Sequence, residues 1–507
     1  MNIRLLGIEH GLRAGTIITR SPGRMLPFPL LAVLFAGFAA AGESAGPPAG
    51  QAEGWDVRTR FTASGSLRAA VGAVPGETAA ETTATTLEVV EHAVAAEATL
   101  QYLERPAAGA VAQSIGPTAV RQYHQAEARL KIDGTTVHTA LPADARKVLV
   151  TAANGRLHPW LPDGFVTRAE RDLLVVPFDP AWQDLLRPPP AAGVETSWTL
   201  ATEELAGLLC IDTVTTGSVM ATVEQIEEAC LVISLEGGIT GGVDGVPTSI
   251  DLTASYRWDA SAADGARERS GLITLTAKMH EQRQAGHVTP GLNIEAVIET
   301  TRRWGATAAA EPEEAPAEQA GGPCRPRRGP GRPGSLWLTD PRGRFDLVYD
   351  ARWRPIQQQA DQTVLRLIDR GRLLGQVSII PLPPAAESPS LAAFQRDIER
   401  SLDGQFNHLV AAAESVRSNG TRILRVASDG EADGLPFRWI HYHLTGIHGT
   451  PATLSFMVES GLLERFGEAD QLLVDGFTVA GAADRTLPAP PNGKSRLPPA
   501  MRFSAER

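Results

Sequence analysis

The sequence predicts a mainly β N-terminal domain, either a curved antiparallel sheet or an open barrel, followed by an α+β domain in which helices cover an antiparallel sheet. Three observations predict it. Short runs alternate apolar with polar residues and are punctuated by Asp-Gly and Asn-Gly pairs, the pattern of hairpins. Helical spacing is confined to a few stretches. One segment, "TAAAEPEEAPAEQAGGPCRPRRGPGRPGS" at 307–335, has no apolar periodicity and separates two foldable parts.

The N-terminal part, 55–306, is read strand by strand. "EARLKIDGTTVHTAL" alternates on either side of Asp133-Gly134, and "RKVLVTAANGRLHPWL" repeats the pattern around Asn154-Gly155. "SVMATVEQIEEACLVISLEGGI" and "SIDLTASYRWDA" extend the series, and "GLITLTAKMHEQRQ" with "GLNIEAVIETTRRW" closes it as an antiparallel pair. "TRAERDLLVVPFDPAWQDLLRPP" interrupts it with a helix, Thr167 serving as N-cap and Glu170 completing a capping box. "ATEELAGLLC" is a second short helix.

The C-terminal part, 336–481, opens with a strand from Arg344 to Tyr349 and a hairpin turning at Asp369-Arg370-Gly371. A helical stretch follows from about Ser390, "SLAAFQRDIERSLDGQFNHLVAAAESV", with Leu391, Phe394, Ile398 and Leu402 on one face. After Asn419-Gly420 come three strands, "TRILRVASDG", "WIHYHLTGIHG" and "PATLSFMVES", and a closing helix, "LERFGEADQLLVDGF".

The ends of the chain speak to location. Arg24, an apolar run from Leu26 to Phe38 and the small residues Ala39, Ala40 and Ala41 have the three-part layout of a secretory signal peptide, so 1–41 is expected to be removed. The run is too short for a membrane span, which needs roughly 20 residues. Translation starting at Met1 or at Met25 is compatible with this layout. A low-complexity spacer, 42–54, and a Pro-rich tail, 482–507, are expected to be disordered. The mature chain is therefore expected in the periplasm or outside the cell, without a transmembrane segment.

Bulk composition narrows the function classes. At 507 residues the chain exceeds one ordinary core, and 43% hydrophobic with 21% charged residues is globular. A net charge of −11 argues against nucleic-acid binding, which favours a basic face.

Candidate chemistry centres on "WIHYHLTGIHG". His441 and His443 project from one face of a strand and could chelate a metal, but a site needs a third ligand. His448 stands up to about 16 Å beyond along an extended chain and suits a turn before Gly449. The expected reading is a buried strand with neutral histidines facing the Leu454 and Phe456 side of the return strand, and no metal. Cys210 and Cys230 are a disulfide candidate, closing a loop of about 20 residues, or else two small buried hydrophobes. "GPGRPG" at 329–334 satisfies a nucleotide-binding pattern only literally, because its prolines forbid the helix. In "HEQRQAGH", His287 follows His280 by seven rather than the four a zinc-protease helix requires. Neither catalytic nor cofactor-binding residues are assigned.

"GRFDLVYDARW", the hairpin ending in "IIP", the S-x-x-x-F helix opening and "ERFGEADQLLVDGF" together resemble the PsbP-like α/β/α family. They also resemble C-terminal domains of uncharacterised secreted planctomycete-type bacterial proteins. The first resemblance implies a non-enzymatic assembly or binding module and supplies no catalytic residues. The leading expectation is an exported binding or scaffolding protein of the cell envelope, whose partner is a protein or envelope component. The alternatives are a carrier of an apolar ligand in the N-terminal β part and a metal-dependent hydrolase using His441 and His443.

Overall fold

The computed structural model describes residues 54–479 apart from 72–87, 108–117, 154, 229, 244, 261–270, 285–289, 307–330, 384–387 and 447–450. The signal segment, all of the spacer but Gly54, most of the linker and the tail therefore lie outside the described residues.

The N-terminal part is one antiparallel sheet of twelve strands: β1 (Gly54–Val71), β2 (Glu88–Pro106), β3 (Ala119–Ile132), β4 (Thr135–Ala140), β5 (Lys147–Ala153), β6 (Arg156–Trp160), β8 (Ser197–Thr199), β9 (Thr213–Glu227), β10 (Cys230–Val243), β11 (Val246–Asp259), β12 (Gly271–Arg283) and β13 (Gly291–Ala306). The order is β6-β5-β3-β2-β1-β13-β12-β11-β10-β9-β8, with β4 paired to β3. The end strands β6 and β8 do not meet, so the sheet is not closed into a barrel. Asp133 and Gly134 both take positive φ, 46° and 89°, as the tightest hairpin turn demands.

Between β6 and β9, apart from the three-residue β8, the chain leaves the sheet and packs on its buried face. This insertion holds the two-residue β7 (Val166–Thr167), α1 (Arg168–Leu174), a 3-10 helix (Pro180–Leu186) and α2 (Thr202–Leu208). The expected capping box is formed: the Thr167 hydroxyl accepts from Glu170 N, and the Glu170 carboxylate accepts from Thr167 N at 2.8 Å. Leu173, Leu174, Phe178, Leu186, Leu205 and Leu208 are buried in the same apolar cluster as Phe61, Leu100 and Tyr256 of the sheet.

The C-terminal part opens with a small sheet. β14 (Ser335–Thr339) pairs in parallel with β7 and antiparallel with β15 (Phe345–Asp350), which pairs with β23 (Phe477–Val479). Gly331 is buried against the carbonyls of Leu161 and Gly164, where a Cβ would collide with both. A seven-stranded antiparallel sheet follows, in the order β16-β17-β18-β22-β21-β20-β19. Its strands are β16 (Trp353–Gln358), β17 (Thr363–Asp369), β18 (Arg372–Pro381), β19 (Phe406–Val416), β20 (Arg422–Ala432), β21 (Leu435–Thr445) and β22 (Ala452–Glu459).

Helix α3 (Leu391–Leu402), capped by Ser390, lies on one face with Phe394 and Ile398 against Leu424 and Val426. The other face, through Phe456 and Tyr442, packs with Phe466 and Leu473 of the short helices α4 (Leu463–Phe466) and α5 (Ala469–Asp475). This apolar cluster continues into the N-terminal sheet.

One expected element is wrong. The helical stretch stops at Leu402, where Asp403 takes φ 45°, and 406–416 is a strand. The alanines there favour helix locally, but pairing with β20 decides the outcome. The closing helix is also split, Gly467 taking φ 57° between α4 and α5.

Candidate functional site

β21 runs between β20 and β22, and every residue from Trp439 to Leu444 is buried. Alternation sends Ile440, Tyr442 and Leu444 into the large cluster and Trp439, His441 and His443 to the α3 side. The partners on β22 are one residue away from expectation. His441 opposes Ser455 and His443 opposes Thr453, while Leu454 and Phe456 oppose Tyr442 and Ile440. A one-residue change of register exchanges the two faces of a strand.

His441 Nδ1 is 3.0 Å from Ser455 Oγ, and its Nε2 is buried without a hydrogen-bond partner. Burial lowers its pKa to about 4. His443 stacks obliquely on Phe394 at 5.8 Å, and its pKa is lowered by burial first and by Arg422 second. Both are neutral core side chains at pH 7. Among the described residues no group of three or more His, Cys, Asp or Glu is placed to hold a metal ion. His448 lies outside those residues.

The structure scatters the other sequence candidates. Cys210 ends the turn after α2, beside the backbone bond from Asp212 N to Gly242 O. Cys230 begins β10, twelve residues from Gly242 and about 40 Å along the strand at ~3.3 Å per residue. The two are not bonded to each other, and a disulfide, which needs Cα atoms within about 7 Å, does not fit this register. His280 is half-buried on β12, within hydrogen-bond distance of Asn293 Oδ1 at 2.8 Å; His287 and Cys324 lie outside the described residues.

Two polar sites escaped the sequence reading. The first is a buried ion network. Arg121, only 1% exposed, donates from Nε to Glu104 Oε2 at 2.8 Å, from Nη1 to Asp179 Oδ2 at 2.8 Å and from Nη2 to Asp179 Oδ1 at 2.5 Å. Arg302 Nη2 donates to Glu104 Oε1 at 3.3 Å and its Nη1 donates to Gln183. The guanidinium groups lie over Tyr102 at 4.7 Å and Trp55 at 4.2 Å. Arg121, Glu104 and Arg302 belong to the sheet, whereas Asp179 and Gln183 belong to the insertion. Two positive and two negative charges therefore pin the insertion to the sheet.

The second is a cleft of about 40 Å³ where the β5–β6 turn, α1, the end of α2 and β16 converge. Arg156, Arg171, Asp172, Cys210, Asp212 and Arg354 line it. Arg156 Nη2 donates to Asp212 Oδ1 at 3.2 Å, and Asp172 accepts from Arg168 Nε at 2.8 Å and from Arg171 Nη1 at 3.3 Å. No local motif marks either site, because their members come from distant strands and loops.

Comparison with known proteins returns weak likenesses. No protein-family model matches the chain, and no curated protein matches it. The solution structure of cyanobacterial PsbP (CyanoP) from Synechocystis sp. PCC 6803 is 13% identical, covering 29% of this chain and 93% of that one, with a TM-score of 0.24. The crystal structure of the outer membrane protein OprD from Pseudomonas aeruginosa is 9% identical, covering 81% of this chain and 94% of that one, with a TM-score of 0.11. The PsbP-like resemblance thus has a faint structural counterpart and the planctomycete-type one has none; neither likeness is close enough to carry an argument.

Proposed function

We propose that this chain is an exported, non-enzymatic protein of the bacterial cell envelope that binds a protein partner or scaffolds an assembly, its C-terminal part being a PsbP-like domain. The observation that carries the binding role is the open edge of the C-terminal sheet. Among the described residues β19 pairs only with β20, and Leu409, Val410 and Val416 on it are 38%, 41% and 64% exposed. An edge strand has unpaired backbone donors and acceptors, and apolar side chains along it suit addition of a partner's strand. The signal-peptide layout supports export.

The carrier reading draws less support, since the buried face of the N-terminal sheet is occupied by the insertion's own leucines. A ligand there would have to displace them and the ion network together.

The test is a pull-down from the organism's own envelope fraction with wild type and a Val410→Lys, Val416→Lys variant. Proteins held by wild type and released by the variant are expected. An identical set on both baits, with the variant folded by circular dichroism, would remove β19 from the proposal.

A further inference from the structure

We propose that α3 is an acid-released lid, which lifts from the C-terminal sheet as a unit when His441 and His443 beneath it take up protons. Three features of the fold carry this. The first is how little holds the helix. Its buried residues, Phe394 and Ile398, form an apolar cluster of four with Leu424 and Val426, separate from the large cluster that fills the opposite face of the same sheet. A helix of 12 residues is marginal in isolation, so α3 depends on that packing. Proteins open locally where few buried apolar contacts hold an element.

The second is a hinge. Asp403, at the C-terminal end of α3, takes φ 45° and ψ −124°, outside the ordinary allowed regions for a residue with a Cβ. The strain sits between the helix and β19, where a lid would turn, and lifting relieves it.

The third is what lies under the helix. His441 and His443 stand directly opposite Val426 and Leu424, the two sheet residues on which α3 rests, and His443 meets the Phe394 ring at 5.8 Å. His441 Nε2 and Ser428 Oγ are buried without a hydrogen-bond partner, so the closed lid strands two polar atoms that water reaches once it lifts. The surroundings give an added proton no anion to pair with. β22 places the neutral Ser455 and Thr453 opposite the histidines, and β20 brings Arg422, whose charge disfavours a second cation at His443. Glu414 of β19 is bonded to Arg422 at 2.8 Å. Helix α3 turns Phe394 and Ile398 inward, while its Arg396, Asp397, Glu399 and Arg400 are exposed.

The direction follows from where the protons bind. Burial holds both histidines below their ordinary value of 6.5, His441 at about 4, and water restores that value when the lid lifts. The lifted state binds more protons, so falling pH favours it. Between pH 7.5 and pH 5, His441 alone should shift the ratio of lifted to closed by about thirtyfold. Lifting bares Leu424 and Val426 beside Ala412 of β19, which widens the apolar surface at that edge in acid. The lid needs no partner, and its test is separate from that of β19.

Hydrogen exchange of the full chain, followed by mass spectrometry from pH 7.5 to pH 5 and corrected for the intrinsic pH dependence of exchange, reads the lid directly. Peptides covering 391–402 should lose about thirtyfold in protection or more, while peptides from β18 and β22 of the same sheet keep theirs. His441→Gln should remove most of that loss, and His443→Gln a smaller part, which serves if the first variant does not fold. Protection of α3 that is indifferent to pH would overturn the lid. So would a loss shared equally by β18 and β22, or a full loss persisting in whichever variant folds.

Discussion

Two buried polar sites of this protein solve the same problem in opposite ways. In the N-terminal part, Arg121, Glu104 and Arg302 of the sheet and Asp179 of the insertion are joined in ion pairs. In the C-terminal sheet, His441 and His443 are buried without an acidic partner, and burial keeps them neutral. Water is excluded from both, so each charge must be matched or extinguished. The difference teaches where sequence signals mislead. His441 and His443 look like chemistry and prove to be core, whereas four charges far apart in sequence look like surface and prove to be a buried ion network.

The comparison breaks most sharply at Arg121. Removing it leaves Asp179 and Glu104 buried without their principal cation, and breaking a buried pair costs about 3 to 5 kcal/mol. Arg121→Ala should lower the denaturant midpoint accordingly and loosen the insertion. Arg121→Met combined with Asp179→Leu should lose much less, because a matched apolar pair leaves fewer charges stranded. Equilibrium denaturation of both variants is the check. Equal losses would mean that volume rather than charge matters there.

Legibility followed the range of the interaction. Thr167 with Glu170, Asp133-Gly134 and Ser390 act within a few residues, and each formed as the sequence implies. Strand β19 was not legible, since "FNHLVAAAESV" reads locally as helix and becomes a strand only through β20. The ion network joins residues 17, 58 and 198 apart, a separation that no local pattern encodes. Likewise, Cys210 and Cys230 look like neighbours by spacing and are parted by register, which depends on the whole β9–β10 pairing.

The histidine half of the comparison sharpens with pH. His441 takes its proton near pH 6.5 when unfolded and at about 4 when folded. Between those values the unfolded state binds more protons, so stability falls as pH falls through the window and levels off below about 4. Across that window the loss is at most about 3 to 4 kcal/mol. His443 acts in the same direction. Denaturant midpoints measured from pH 7 to pH 4 should therefore slope downward, and His441→Gln should flatten the slope. A slope equally steep in the variant would assign the acid sensitivity to other groups.

The smallest expected effect is the most discriminating. His443 is buried on β21 against Phe394, and a glutamine there keeps a polar amide of similar reach. His443→Gln should cost only about 1 kcal/mol. Trp439, four residues earlier on the same face, packs beside Phe437 at 5.9 Å and over Gly430, where a Cβ would strike its ring at 2.7 Å. Removing that ring as Trp439→Ala should cost about 3 to 5 kcal/mol. A metal held by His441 and His443 would reverse the order. Loss of one of two strand ligands would then abolish binding and, with it, the stabilisation that the metal lends the folded state. Denaturation of wild type and both variants, with and without a chelator, separates the two cases. The neutral-core reading requires that a chelator leave wild type unmoved and that Trp439→Ala be the weaker protein. A wild type that loses stability to chelator, with no such loss in His443→Gln, would return the histidines to chemistry.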